Sequence, residues 1–599
     1  MAERSGSSAA ENDIIENWGT SRNAIVVVIS RSAPLPGLRA RRERCLTAAS
    51  SAPRCRSPSS RRRVRARARA SIRRLYQLDP GAAPALERIL ETHRRRQGGR
   101  GRRQESGLPQ LPWTQVTNPF APMEVLSADQ VEAIHETSLR ILETLGIEVM
   151  SEGALGILRA AGAKVDGASR VVRVDRGLVQ EALATAPASF TLTPRNPERR
   201  ITLGGNHVNF GLVAGPPNVH DCERGRRSGN LADYSDFVRL AQYFNAIHLI
   251  GNQVCAPVEL PANSRHLDTY RTNLQLSDRV FHCTAIGAGR AVDGIRMMAI
   301  SRGIDLDEMA VNPGVITIIS VNSPRRFDEA MSEGLIAMAR HGQPVVITPF
   351  TLMGAMAPVT LAAALAQQNA EALFGVVLAQ AVRPGTPVMY GAFTSNVDMR
   401  SGAPAFGTPE NAKANVASGQ LARRYRLPYR TSNASASNAA DAQGAYETQM
   451  SLWGAILGHG NLVYHAAGWQ EGGLTASFEK LVLDVEMLQM MIEFLKPITV
   501  DEQELGYDAI KGVATGGHFF GEPHTMQRYE HAFYRPLVSN WQNYENWQLG
   551  GGKDATQRAT GIWKQALAEY REPEMDPAIR ERLDHYVAER RVEIGDGDP

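Results

Sequence analysis

From about residue 208 onward the chain repeats a two-part pattern: a short apolar run, then a longer segment with helical composition. The clearest unit begins with VVITPFTL at 345–352, apolar and β-branched without alternation, as in a strand covered on both faces. Gly354, Ala355 and Pro358 break it, and an Ala/Leu/Gln-rich segment from Leu361, with Gly385 just past its end, predicts a helix over 361–382. Comparable runs start at residues 208, 247, 280, 315, 345, 387, 428 and 462, separated by 39, 33, 35, 30, 42, 41 and 34 residues. Helical segments follow each of them, at 231–244, 266–276, 292–302, 328–340, 361–382, 410–425, 442–457 and 477–495. Parallel strands need crossovers of this length. Eight strand–helix pairs over roughly 290 residues predict an α/β fold, a (β/α)8 TIM barrel spanning 206–500. A doubly wound open sheet is the alternative, but the glycine fingerprint of dinucleotide sites does not follow the first strand.

The flanks read differently. Residues 107–205 open with a Pro-rich segment, after which Ser127 and Gln130 form a capping-box pattern before a helix over 128–145. Helices at 152–161 and 176–186 and short strands near 171–174 and 189–194 complete an expected small N-terminal α+β cap. Residues 501–599 carry a Gly/aromatic loop and charged helical segments at 555–570 and 577–591, expected as a helical C-terminal extension packed on the barrel.

Charge separates the first hundred residues from the rest. Residues 1–105 hold 24 Arg, no Lys and nine acids, a net of +15, whereas the whole chain carries only +4, which leaves the remainder at −11. Residues 1–106 lack a sustained apolar period and are expected to be a disordered Arg-rich extension. An RNA-binding arm and a transit peptide are competing readings. The acidic body argues against nucleic acid as the main partner. No apolar run reaches the roughly 18 residues of a membrane span, so no membrane partner is expected. Five scattered cysteines without a CxxC pair favour a reducing, cytoplasmic setting.

In a barrel of this kind the chemistry sits at the C-terminal strand ends. The residues there are mostly amide, hydroxyl and aromatic. No HxH, HExxH or His/Asp/Glu cluster suggests a metal site, no Lys stands at a strand end, and no nucleophile elbow or phosphate loop appears. An aromatic, acid-poor cavity suits a methylated ammonium ion, which cannot hydrogen-bond and is held by ring faces worth about 0.5–2 kcal/mol each. Phe210, Phe350, Tyr390, Phe393 and Trp469 are the cage candidates, with Glu471 as a counter-charge. His282 and His465 are candidates for polar contacts, weighed against ordinary structural hydrogen bonding. Strand alternation also sends half of such residues outward.

Several long motifs resemble the trimethylamine methyltransferase family: NPF at 118–120, AGPPNVHD at 214–221, TPFTLMGAMAPVTLAAALAQQNAE at 348–371 and GAFTSNVDMRSGAPAFGTPE at 391–410. DAQGAYE at 441–447, GGLTASFEKLVLD at 472–484 and GGHFFGEPHT at 516–525 continue it, so the resemblance covers everything after the Arg-rich head. It implies a (β/α)8 barrel that moves a methyl group from a methylated amine to the Co(I) of a corrinoid held by a separate protein, with no bound metal of its own. The archaeal trimethylamine enzymes carry pyrrolysine; this chain has only standard residues, and the corresponding neighbourhood is 431–441. Members of this kind resemble quaternary-amine demethylases acting on compounds such as glycine betaine, which arrive with a cationic leaving group. On that basis aromatics of the fifth and sixth strands and Trp469 hold the ammonium. Asn396, Asn433 and His465 orient the other polar end, His465 and Glu471 are the catalytic candidates, and His465 or Arg400 would meet a carboxylate. A methyl acceptor such as folate, a lyase acting on a small amine and a non-catalytic quaternary-amine sensor are alternatives. A homo-oligomer is compatible with such a barrel.

Overall fold

The computed structural model describes residues 107–251 and 253–595; the expectation for residues 1–106 falls outside them. Eight parallel strands, β1 (His207–Leu212), β2 (Leu249–Ile250), β3 (Val280–His282), β4 (Val315–Ile319), β5 (Val345–Ile347), β6 (Val388–Gly391), β7 (Tyr429–Ser432) and β8 (Leu462–Ala467), pair in sequence order. β8 pairs back onto β1, which closes a (β/α)8 barrel. The connecting helices are α1 (Leu231–Tyr243), α2 (Arg265–Leu276), α3 (Ala288–Arg302), α4 (Glu329–Arg340), α5 (Leu361–Val382), α6 (Pro409–Arg424) and α7 (Ala442–Leu457), with α8 (Phe478–Phe494) after the last strand.

Alternation along the strands builds two apolar layers. Leu249, Val280, Ile316, Val346, Met389 and Leu462 face inward and fill the barrel. Leu192, Ile201 and Leu203, from the antiparallel hairpin Ser189–Leu192/Ile201–Gly204, join this inner cluster. The second layer lies between strands and helices and holds most of the remaining buried apolar side chains. α5 is apolar all round and 83% of its most apolar stretch is buried. Among the described residues it is the one helix long and apolar enough to cross a membrane, and its composition follows instead from cover on every side. The barrel lies on one flank. On the other, Ser138 of the helix Ala128–Arg140 donates to the Ala366 carbonyl at 2.8 Å and accepts from Asn369 at 2.9 Å.

The cap and barrel share a sheet. Ile147–Val149 pairs antiparallel with Val171–Arg173 and parallel with Arg326–Phe327, which belongs to the loop after β4. That pairing crosses the boundary expected at residue 205. The helix predicted over 128–145 is α-helical to Arg140 and then widens into a π-turn at Ile141–Leu145, ending at Gly146 with φ 72°. At the other end of the chain, the helix Ala555–Glu569 lies on α8, where Trp563 Nε1 donates to Glu479 at 2.9 Å. Pro577–Ile594 lies on α3, with Tyr586 and Arg590 both bonded to Asp293 at 2.7 and 2.9 Å.

One close approach fixes a wall of the site. A Cβ on Gly334 of α4 would stand 1.9 Å from the carbonyl oxygen of Ala285, in the loop after β3. Alanine would gain about 1 kcal/mol of helix propensity, but the opposing atom is backbone and cannot swing away. Gly334→Ala is expected to be net destabilising by about 2 kcal/mol, within the usual range for overpacking, measured as a lowered midpoint of thermal unfolding.

Candidate functional site

At the C-terminal end of the strands a cavity of about 270 Å³ opens, lined by residues of β3 to β8 and their loops, the loop after β1 and Met331 of α4. Its ring-bearing walls are His282, Phe350, Phe393, Tyr464, His465 and Trp469, and its one formally charged side chain among the described residues is Arg430. Among the described residues no acidic side chain lines it. Ile286 also lines a neighbouring cavity of about 770 Å³, which contains Arg265, His266, Arg290, Asp293 and Arg590.

Phe350 and Phe393 reach the cavity because β5 and β6 do not run on as the sequence pattern suggested. The apolar runs 345–352 and 387–394 each split in two. Pro349 lacks the N–H needed to continue the ladder, and Gly391 passes so close to β5 that a Cβ there would lie 2.1 Å from Thr348 Oγ1. The chain restarts above the barrel as a separate parallel ribbon, Phe350–Met353 against Phe393–Val397, with Phe350 directly opposite Phe393. Their rings are 5.1 Å apart, and Phe406 stacks under Phe393 at 5.2 Å and 20°. Trp469 completes the group, 6.0 Å from Phe393 and 4.1 Å from the His465 ring.

His465 owes its position to an irregularity. Between Val463 and Ala467 the register of β8 against β1 shifts, and His465 takes φ 55°, a left-handed conformation unusual for a non-glycine residue. Such local strain concentrates where a side chain must be aimed. Its Nδ1 is buried and has no hydrogen-bond partner among the described residues. Burial first, then the charge of Arg430 and the His282 ring, holds its pKa well below 6.5. His282 is pushed down to about 3 by burial and Arg430. Its Nε2 accepts the Ile318 N–H at 3.1 Å, which leaves Nδ1 as the protonated nitrogen facing the Tyr464 hydroxyl. Both imidazoles are therefore neutral at physiological pH.

Arg430 is the second residue of β7 and only 1% exposed. Its guanidinium carbon stands 5.3 Å from the Phe393 ring centroid and 5.3 Å from that of Tyr464. The one hydrogen bond of its guanidinium among the described residues runs from Nη1 to the Ala392 carbonyl at 3.2 Å, and Nε has none. Burial lowers its pKa to about 10, so it remains a cation at neutral pH.

Of the residues singled out in the sequence, His282, Phe350, Phe393, His465 and Trp469 meet in this cavity. The other six sit elsewhere. Phe210 and Tyr390 are fully buried in the outer layer, since the inward positions of their strands go to Gly211 and Met389. Tyr390 Oη donates to Asn369 at 3.1 Å and accepts from Gln368 at 3.2 Å. Asn396 accepts from Thr408 at 3.0 Å, and Asn433 donates to the Ala466 carbonyl at 3.1 Å. Glu471 is bound to Arg226 at 2.7 Å and to Thr475, and those bonds hold its pKa below the usual glutamate value against some burial. Arg400 is exposed. Sequence reasoning did not select Arg430, Tyr464 or Phe406. A lone arginine inside an otherwise uncharged strand, PYRTSNAS, was the available signal for the first. The only cluster of three potential metal ligands among the described residues is Glu132, His135 and Glu136 on the cap helix, where Glu132 is already paired with Arg424 at 2.7 Å.

A family model described as trimethylamine methyltransferase matches residues 92–595. The chain belongs to that family. A glycine betaine methyltransferase of Desulfitobacterium hafniense (strain Y51) is 37% identical over 473 residues, covering 79% of this chain and 98% of the relative. A trimethylamine methyltransferase of Desulfitobacterium hafniense (strain DSM 10664 / DCB-2) is 30% identical over 472 residues, 78% and 94% of the two chains. A proline betaine:corrinoid methyltransferase of Eubacterium limosum is 27% identical over 485 residues, 78% and 97%. Within the family this barrel thus resembles relatives named for betaines as well as one named for trimethylamine.

Proposed function

We propose that this family member removes one methyl group from a quaternary amine, glycine betaine or a close analogue, and passes it to a corrinoid carried by a separate protein. The observation that carries this is the ring cluster of Phe350, Phe393, His465 and Trp469 around an acid-free cavity at the C-terminal end of the barrel. A quaternary ammonium is attracted to ring faces and needs no hydrogen-bond acceptor. The neutral imidazoles fit this role, because departure of a tertiary amine from a quaternary centre requires no proton. The names of the betaine relatives support the substrate class, and one of them names a corrinoid.

When present, the corrinoid supplies the low-valent cobalt nucleophile that accepts the methyl group. This chain's part is positioning. Trp469 and Phe393 hold the ammonium, the ribbon carrying Phe350 shields it from water, and one methyl is left pointing at the open end. The loops at that end suit a broad apolar partner: Ile286, Val359 and Met399 are 45%, 69% and 70% exposed.

The test is methyl transfer by the purified full chain to free cob(I)alamin, followed by loss of the cob(I)alamin absorbance. Glycine betaine is expected to support transfer and trimethylamine is not. Trp469→Ala should raise KM about 30-fold, the equivalent of about 2 kcal/mol for a lost desolvated ring contact, and Trp469→Phe should recover most of it. Calorimetric binding of a quaternary amine with no transfer would overturn the enzymatic reading in favour of a sensor.

A further inference from the structure

We infer that Arg430 is the residue that decides which methylated amines are accepted, by binding a carboxylate on the substrate; this rests on the methyl-transfer reading above. Arginine is almost never fully buried unless paired, and a buried charge without a partner is costly. Arg430 is 1% exposed, and among the described residues its guanidinium faces a cavity without any acid and spends one hydrogen bond on a backbone carbonyl while Nε has no partner. Its planar set of N–H donors matches a carboxylate in two-point contact. The fold has left the matching anion to the ligand.

The same charge works against the simplest substrates. Choline or trimethylammonium would bring a second cation into a cavity that already holds an uncompensated one, in an environment of low dielectric constant. A betaine brings its own anion and removes the conflict. Arg430 and Trp469 flank one ring: the guanidinium carbon is 5.3 Å and the Trp469 ring 6.0 Å from the Phe393 centroid. An ammonium and a carboxylate joined by a short linker can therefore reach Trp469 and Arg430 together, whereas a long linker would push the methyl group away from the box. Selection thus acts through repulsion of bare cations as well as attraction of the zwitterion.

The experiment uses the full chain with glycine betaine, choline and tetramethylammonium, measured both by calorimetric binding and by methyl transfer to cob(I)alamin. The expected result for Arg430→Gln is at least a 100-fold fall in the ratio of glycine betaine to tetramethylammonium, in kcat/KM and in affinity alike. Arg430→Lys keeps the charge but loses two-point geometry, so it should keep part of that ratio with a raised KM and little change in kcat. It also provides the test if the glutamine variant does not fold. An unchanged ratio in a folded variant would overturn the assignment, and so would a parallel loss of all three ligands. If the unaltered chain binds glycine betaine but transfers no methyl, the enzymatic reading fails, and the binding ratio still decides the role of Arg430.

Discussion

Lowering the pH from 7 to 5 is expected to remove about 4 kcal/mol of folding stability. Three buried imidazoles cause it: His248 is held at about 4, His282 at about 3, and His465 well below 6.5, in each case chiefly by burial. The geometry of two of them explains why a second proton is refused. His248 Nδ1 accepts the Phe210 N–H at 3.0 Å, and His282 Nε2 accepts the Ile318 N–H at 3.1 Å, so an added proton would face a donor. In the unfolded chain all three titrate near 6.5. Below that pH the unfolded state binds protons the folded state cannot, so stability falls as pH falls, and the window runs from about 6.5 down toward 4. His248 and His282 each contribute about 2 kcal/mol at pH 5, and His465 acts in the same direction. Glu371 and Asp484, whose carboxyls burial pushes upward, act in the opposite sense. Denaturant titrations at a series of pH values check this. A flat stability between pH 7 and 5 would contradict it, and His248→Gln should remove roughly half of the slope.

Lys480→Met is expected to cost about 3–5 kcal/mol, the range for breaking a buried ion pair from one side. Lys480 and Asp484 lie one turn apart on α8, 1% and 0% exposed, with the ammonium bonded to the Asp484 carboxylate and to Thr448 Oγ1 at 2.6 Å. Removing the lysine strands a carboxylate in the interior. Asp484 also accepts the Gly468 N–H at 2.8 Å, directly before Trp469, so the damage extends to the loop that presents the indole. Adding Asp484→Asn to Lys480→Met should restore most of the lost stability, because an amide oxygen can still receive the Gly468 N–H without carrying a charge. Chemical unfolding of the single and double variants gives both values. Equal losses in the two would show that lost packing, and not the stranded charge, dominates.

The architecture was legible because its signal is repetition. Starts of apolar runs 30 to 42 residues apart mark all eight strands, even where β2 shrinks to two residues. Spacing does not say which way a side chain points. Phe210 and Tyr390 stand in the right strands but on the helix side, while Phe350 and Phe393 enter the cavity only because Pro349 and Gly391 end the barrel strands early. His465 depends on a register shift that no local pattern announces. Arg430 was missed for another reason: attention to strand ends passes over a residue near the start of β7, whose long side chain reaches the cavity from the barrel wall.

The break above β5 and β6 has a consequence for ligand preference. Phe350 and Phe393 belong to a ribbon outside the hydrogen-bonded ladder that closes the barrel, whereas Arg430 and Tyr464 are part of that ladder. Exchange of a ring on the ribbon alters the shape of the cavity while leaving the closure of the cylinder alone. On the proposed function, ligand preference can therefore change through the ribbon without loosening the barrel that carries it.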